Sequence, residues 1–402
     1  MRIERSKPMD TKKYTKWFML FLMCCAFAVT FITRFIWSPL NGTVSAELGL
    51  TAVQAGAFMS AFFIGYVITQ IPGGYLADRI GVKWVLSAGL LLSGIASIGM
   101  ASITSYNVGF LLRIVTGLGG GVFMSCATKV LADNFPDLKE RSVAFGILQV
   151  GATVGSLIAN NMGASLLDSY GWQMAFRVTG YITIAFAVVI FLVVPNITDK
   201  ENARKVTLLT GIKITFANRN VLMICLSCFF FSFMIMGIGT WANRYLTGMG
   251  FTNAEAAHIW SFNRYAGIVA TLLTGVIASK LHMKIKNYLI LCYVVLSVST
   301  VIFGYQSGYN ILIFFALLLG FFQNLPNAIL NSEVTKYAPK GTSASVMGVQ
   351  NTIFQLASII SPVVVGFIVD TTGTFHMCWY VLAGALLLGT IFLALVREEK
   401  PA

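Results

Sequence analysis

Gly74-Tyr-Leu-Ala-Asp78-Arg79-Ile-Gly81-Val-Lys83 and Gly275-Val-Ile-Ala-Ser279-Lys280-Leu-His282-Met-Lys284 are two versions of one decapeptide, 201 residues apart. The leading glycine, the basic residue at the sixth position and the closing lysine recur. Further along, Gly146, Asp168 and Gly171 find Gly348, Asp370 and Gly373 at a constant offset of 202. The chain has 402 residues, so an offset of half its length makes it one unit written twice in the same direction. Residues 1–195 and 219–402 are expected to be the two halves, with the polar stretch 196–218 as a linker.

Apolar sequence surrounds both copies. Charged residues are 11% of the chain and hydrophobic ones 57%, whereas soluble proteins carry about 25% charged residues. Apolar runs of about 18 residues or more recur from Trp17 to Val396, which excludes a soluble enzyme, a single-pass receptor and an outer-membrane barrel. The runs place helices at 17–39, 52–76, 82–102, 106–134, 140–167 and 172–195, then at 219–247, 253–280, 286–304, 309–336, 341–370 and 375–396. The expected fold is therefore an all-α membrane protein of twelve transmembrane helices in two pseudo-symmetric six-helix bundles. A parallel repeat of this kind is a carrier architecture, with a site where the halves meet and rocking between two access states.

A net charge of +13 suggests nucleic acid until the basic residues are located. Of the 28, 22 fall in the N-terminal tail, the linker, the C-terminal tail and alternate loops, the distribution expected of cytoplasmic segments. Both termini are expected in the cytoplasm, with the chain a multi-pass, monomeric protein of the plasma or inner membrane. No nucleic-acid partner is expected. All seven cysteines lie inside spans, so Cys225-x-x-Cys228 reads as a packed thiol pair; neither metal nor disulfide is expected. Gly117-Leu-Gly119-Gly120-Gly121 has no preceding strand and reads as a close helix contact through Gly117 and Gly121 rather than a nucleotide loop.

The element Gly74…Asp78-Arg79-x-Gly81-x-Lys83 resembles the loop 2–3 signature of the major facilitator superfamily, and the repeat, helix count and linker extend the resemblance over nearly the whole chain. A weaker resemblance points to its anion:cation symporter branch, the sugar-acid permeases and sialin-like carriers. It rests on Arg34, Gln70-Ile-Pro72-Gly73-Gly74, Leu112-Arg113-x-x-Thr116-Gly117, Lys129 and Phe135-Pro136 followed by Glu140-Arg141. Thr33 departs from it, standing where a sugar-acid permease can have an Asp, so proton symport through that position is in doubt.

Six basic residues remain at or near membrane depth: Arg34, Arg113, Lys129, Arg177, Arg244 and Arg264. Carboxylates there are scarce: Asp133 and Glu333 lie near cytoplasmic span ends, while Glu47, Asp168, Glu255 and Asp370 belong to the outer rim. A cation at the bilayer centre costs at least ~2.5–3.5 kcal/mol, so unpaired positive charge should face a wet cavity or await an anionic partner. The missing counter-charge reads as the substrate.

The superfamily lines its cavity with helices one, four, seven and ten, and that resemblance promotes Arg34, Arg113 and Lys129. Arg113 reads equally as a structural hydrogen-bond donor. Arg177 and Arg244 read as interfacial, while Arg264, beside Asn263, stays open. Asn324, Asn327 and Asn331 share one face of helix ten, and either face the cavity or bridge to helix eleven through Asn351 and Gln355. Tyr66, Gln149, Asn160, Asn161 and Trp241 are lesser candidates.

Gly74, Asp78, Arg79, Gly81, Lys83 and Asp133 form the expected conformational gate. Gly81 supplies the turn, Asp78 accepts from N–H groups at a facing helix start, and Arg79 or Lys83 pairs with Asp133. The function so expected is secondary transport of a small organic anion, a carboxylate or sugar acid, without a cofactor and with H+ or Na+ as coupling ion. An efflux carrier and a transport-inactive sensor are the alternatives; nothing in the sequence favours an enzyme.

Overall fold

In the computed structural model, residues 11–198, 208–280, 284–339 and 342–397 are described. Lys340, residues 281–283 of the second decapeptide and positions 199–207 of the expected linker lie outside the described residues.

Fifteen helical segments occur among the described residues: α1 Thr11–Phe35, α2 Trp37–Glu47, α3 Ala52–Arg79, α4 Val82–Met100, α5 Tyr106–Gly121, α6 Phe123–Asn134, α7 Leu138–Tyr170, α8 Trp172–Val193, α9 Leu208–Ala217, α10 Arg219–Gly248, α11 Asn253–Lys280, α12 Ile285–Phe303, α13 Tyr309–Lys336, α14 Ser343–Thr372 and α15 His376–Ala394. Two crossings are broken in two, α1/α2 and α5/α6, and α9 is a short helix within the expected linker. Among the described residues these segments make up twelve passages of membrane-spanning length. Eleven crossings are long and apolar enough by composition alone, and the twelfth is the 28-residue α11. Thr11 and Arg397, the first and last described residues, lie at one face, called here the terminal face; the other is the far face.

The first span was expected to stop at residue 39, yet helix continues to Glu47. Pro39 cannot donate to the carbonyl four residues back, so the ladder breaks at Ile36 and resumes at once. The repeat reappears in backbone detail. Thr51 and Gln54 form a capping box at the start of α3, and Thr252 and Glu255 exchange the same pair of bonds at the start of α11. Gly171 and Gly373, 202 apart, turn the chain after α7 and α14 with φ of 83° and 68°, a region that a side chain would disfavour. Close packing within the first half runs through Gly117 on α5, where a Cβ would collide with the Phe62 carbonyl of α3.

The first eight helices and the last six meet through α3 against α14, α7 against α11, and α2 against α10. Asp370 accepts from the Ala52 and Val53 amides at 2.7 and 2.8 Å, and Asn253 Nδ2 donates to Asp168 at 2.8 Å. Arg244 donates to Asn41 at 3.2 Å, and Ser38 to the Gly239 carbonyl at 2.8 Å. Asn160 accepts from Asn243 at 2.8 Å and donates to the Ala257 carbonyl at 2.7 Å. Among the described residues, the hydrogen bonds named between the two groups are all on the far-face side.

Candidate functional site

Arg34 ends α1 just ahead of the break and is 7% exposed. Its guanidinium carbon lies 4.5 Å from the Phe31 ring centroid, 4.7 Å from Tyr66, 5.2 Å from Phe62 and 5.3 Å from Phe63. Phe62, Phe63 and Tyr66 fall on one face of α3 by their spacing, and Phe31 is one turn below Arg34 on α1. Aromatic faces attract a cation by about 0.5–2 kcal/mol each, which offsets part of the burial cost without neutralising the charge. Nε of Arg34 is buried without a hydrogen-bond partner. No carboxylate pairs with it among the described residues.

Arg113 behaves differently. Its Nε donates to the Phe58 carbonyl at 3.1 Å, Nη1 to the Thr33 carbonyl at 2.9 Å and Nη2 to the Arg34 carbonyl at 3.0 Å. The break at Ile36 leaves those α1 carbonyls needing donors, and Arg113 supplies them. It therefore holds the backbone that carries Arg34; its own fork is already engaged, which revises its expected place among the ligand-binding residues.

Lys129 also departs from expectation. Its ammonium pairs with Asp78, the loop-two carboxylate, inside the first half. Asp78 was expected to accept from a facing helix start, and Asp133 to pair with Arg79 or Lys83. Instead Asp133 is exposed, Arg79 lies over Tyr75 at 5.0 Å and Lys83 over Phe191 at 4.6 Å. A four-residue offset explains the exchange: Lys129 is one helical turn before Asp133 on α6, on the side that α3 approaches. Gly81 makes the turn at φ 100°, and Gly74 packs against Ser125 of α6.

From the second group, Arg264 on α11 reaches the break in the first. Its guanidinium carbon lies 5.4 Å from the Phe35 centroid and 5.9 Å from Trp260. Its Nη2 stands next to Gly239, whose carbonyl accepts from Ser38. Like Arg34, it has a buried Nε without a partner and, among the described residues, no carboxylate. Asn263 beside it accepts from Gln323 at 2.7 Å and leaves its own Nδ2 unpaired and buried.

The amides of α13 do not act as one face. Asn324 donates to the Gly320 carbonyl of its own helix at 2.8 Å. Asn331 accepts from Gln350 of α14 at 3.1 Å, so the bridge to helix eleven exists, through Gln350 rather than Asn351 or Gln355. Asn327 is exposed in mid-helix. Arg177 is exposed, as an interfacial residue should be, whereas Arg244 binds Asn41 across the two groups. The aromatic cage of Arg34 and the cross-body set of Ser38, Asn41, Asn243 and Asp370 went unread in the sequence. The spacing Phe62-Phe63-x-x-Tyr66 was the available signal for the cage.

A helical body in two repeated groups, with two buried arginines, Arg34 and Arg264, that meet no carboxylate among the described residues, has the make-up of a membrane carrier. The chain belongs to the Major Facilitator Superfamily, whose sequence profile matches residues 22–362 and again 283–402. It is 27% identical to the probable sulfoacetate transporter SauU of Cupriavidus necator, covering 93% of this chain and 91% of that one. It is 26% identical to the cis,cis-muconate transport protein of Acinetobacter baylyi, covering 89% and 88%. A third relative, the probable galactarate/D-glucarate transporter GudP of Bacillus subtilis, is 25% identical over 92% and 89%. These relatives agree with the anion:cation symporter branch. In fold, the chain is similar to the nucleoside transporter NupG, with a TM-score of 0.80, 17% identity and coverage of 94% and 100%. It is also similar to a bacterial Spinster homologue in an inward-facing conformation, with a TM-score of 0.77, 16% identity and coverage of 98% and 96%.

Proposed function

We propose that this protein is a secondary carrier of small organic anions that works by alternating access, with both termini in the cytoplasm. The observation that carries the reading is Arg34: a buried guanidinium in an aromatic cage, with one donor free and no carboxylate beside it. Such a charge is costly at membrane depth, and an anionic substrate supplies the compensation that the chain lacks. The guanidinium fork suits a carboxylate or sulfonate. Relatives named for sulfoacetate, muconate, galactarate and glucarate support the same class. The far-face position of the contacts named above supports a state open toward the terminal face, in which the substrate enters from the cytoplasm.

Asp78 and Lys129 then form a switch in loop two: paired with each other in this state, they exchange partners when the terminal face closes. Asp133 is exposed and Glu333 lies 3.9 Å from Lys336, which supports a coupling route for H+ or Na+ other than a carboxylate beside Arg34. Counterflow of labelled glucarate, muconate and sulfoacetate in proteoliposomes, with pH and sodium gradients imposed in turn, tests the reading. Exchange of at least one of them supports it; uptake of only neutral or cationic compounds rejects it.

A further inference from the structure

We infer that the substrate carries two anionic groups, one read by Arg34 and the other by Arg264. This rests on the anion-carrier reading above and deepens it to a substrate class.

Both guanidinium groups have a buried, unpartnered Nε, and neither meets a carboxylate among the described residues. They come from opposite groups of helices. They are not mates in the repeat either: the positions 201 and 202 residues before Arg264 are Phe63 and Phe62, the very rings beneath Arg34. Each half has thus acquired a cation on a different helix, and the repeat does not account for the coincidence.

Two rings of α1 link the charges in a series of short contacts. Arg34 is 4.5 Å from the Phe31 centroid, the Phe31 and Phe35 centroids are 5.8 Å apart, and Arg264 is 5.4 Å from Phe35. A monoanion would compensate one guanidinium and leave the other buried and bare, which is costly at bilayer depth. A short carbon skeleton with an acid at each end compensates both and lies along the rings. The free Nδ2 of Asn263, fully buried beside Arg264, adds a neutral donor for an oxygen on that skeleton. With its ends on different helix groups, such a substrate ties the two together, whereas a monoanion engages one.

The test compares matched pairs that differ by one acid: glucarate with gluconate, cis,cis-muconate with (2Z,4Z)-hexa-2,4-dienoate, and sulfoacetate with acetate. Binding to the purified full-length protein is followed by tryptophan fluorescence or calorimetry. The diacid that binds should have a Kd about tenfold or more below that of its monoacid partner. Arg264→Gln should bring that ratio close to one by weakening the diacid alone, and retained monoacid binding reports that the variant is folded. Arg264→Lys should recover part of the ratio. Equal affinity for the two members of each pair in the unmodified protein overturns the inference while leaving the anion-carrier reading intact. An unchanged ratio in Arg264→Gln does the same. Binding of none of the six compounds overturns the anion reading and this inference with it.

Discussion

Asp370, at the end of α14, caps the first two free amides of α3 in the other helix group, Ala52 at 2.7 Å and Val53 at 2.8 Å. Asp168, its mate in the repeat, sits at the end of α7 and accepts from Asn253 at the start of α11. A carboxylate on a helix N-terminus satisfies orphan N–H groups and the positive end of the helix dipole together. The same repeated residue thus fastens the far face on both sides of the molecule.

Removing the Asp370 latch should open that face. Charge-assisted hydrogen bonds contribute about 1.5–3 kcal/mol each, so Asp370→Ala should shift the two-state balance by about tenfold or more. A cysteine at Thr43, labelled by a membrane-impermeant reagent, should react correspondingly faster in the variant. An unchanged rate would show that the latch does not hold this state.

Loop two should set the rate of the cycle. Asp78→Asn removes one charge of the Asp78–Lys129 pair and should slow counterflow several-fold while substrate affinity changes little. Reversing both charges, with Asp78→Lys and Lys129→Asp together, should recover more transport than either change alone. If Lys129→Ala abolishes substrate binding at unchanged protein folding, Lys129 is a ligand rather than a switch.

Arg113 should matter for stability as much as for transport. Arg113→Ala leaves the carbonyls of Phe58, Thr33 and Arg34 short of donors, at about 1–3 kcal/mol for each unsatisfied group. The expected result is a clear drop in Tm of the purified protein together with weaker anion binding, because the backbone of Arg34 loses its tether. A loss of binding with no change in Tm would make Arg113 a ligand.

Gly117→Ala tests whether the cage depends on helix spacing. The added methyl meets the Phe62 carbonyl and comes within 3.0 Å of the Tyr66 amide, so α5 must move away from the helix that carries three of the four rings around Arg34. Overpacking of this kind costs about 1–3 kcal/mol. Reduced thermal stability and reduced anion affinity should appear together in the variant, and wild-type values for both would refute the spacing argument.

The fold was readable because its signals are additive over many residues: apolar length, alternate placement of basic loops, and an offset of half the chain that reappears in the glycines after α7 and α14. The site was readable only where burial of charge is itself the signal, as at Arg34. What Arg113 does depends on a helix break at Ile36, three residues before Pro39 and 77 residues before Arg113 itself, a relation that no local pattern contains. Lys129 and Asp133 stand one turn apart on α6, and only the position of α3 decides which of them meets Asp78. The α13 amides share a face in sequence, but their bonds go in different directions, because Gln350 on α14 captures Asn331.

Arg34 is where the account is most directly exposed. Counterflow of a labelled diacid in proteoliposomes containing Arg34→Gln should fall to background, and Arg34→Lys should give weak transport at most, since the planar fork is lost while the charge remains. The unmodified protein should exchange the same anion readily. Undiminished exchange by correctly folded Arg34→Gln would contradict the claim that this buried charge reads the substrate.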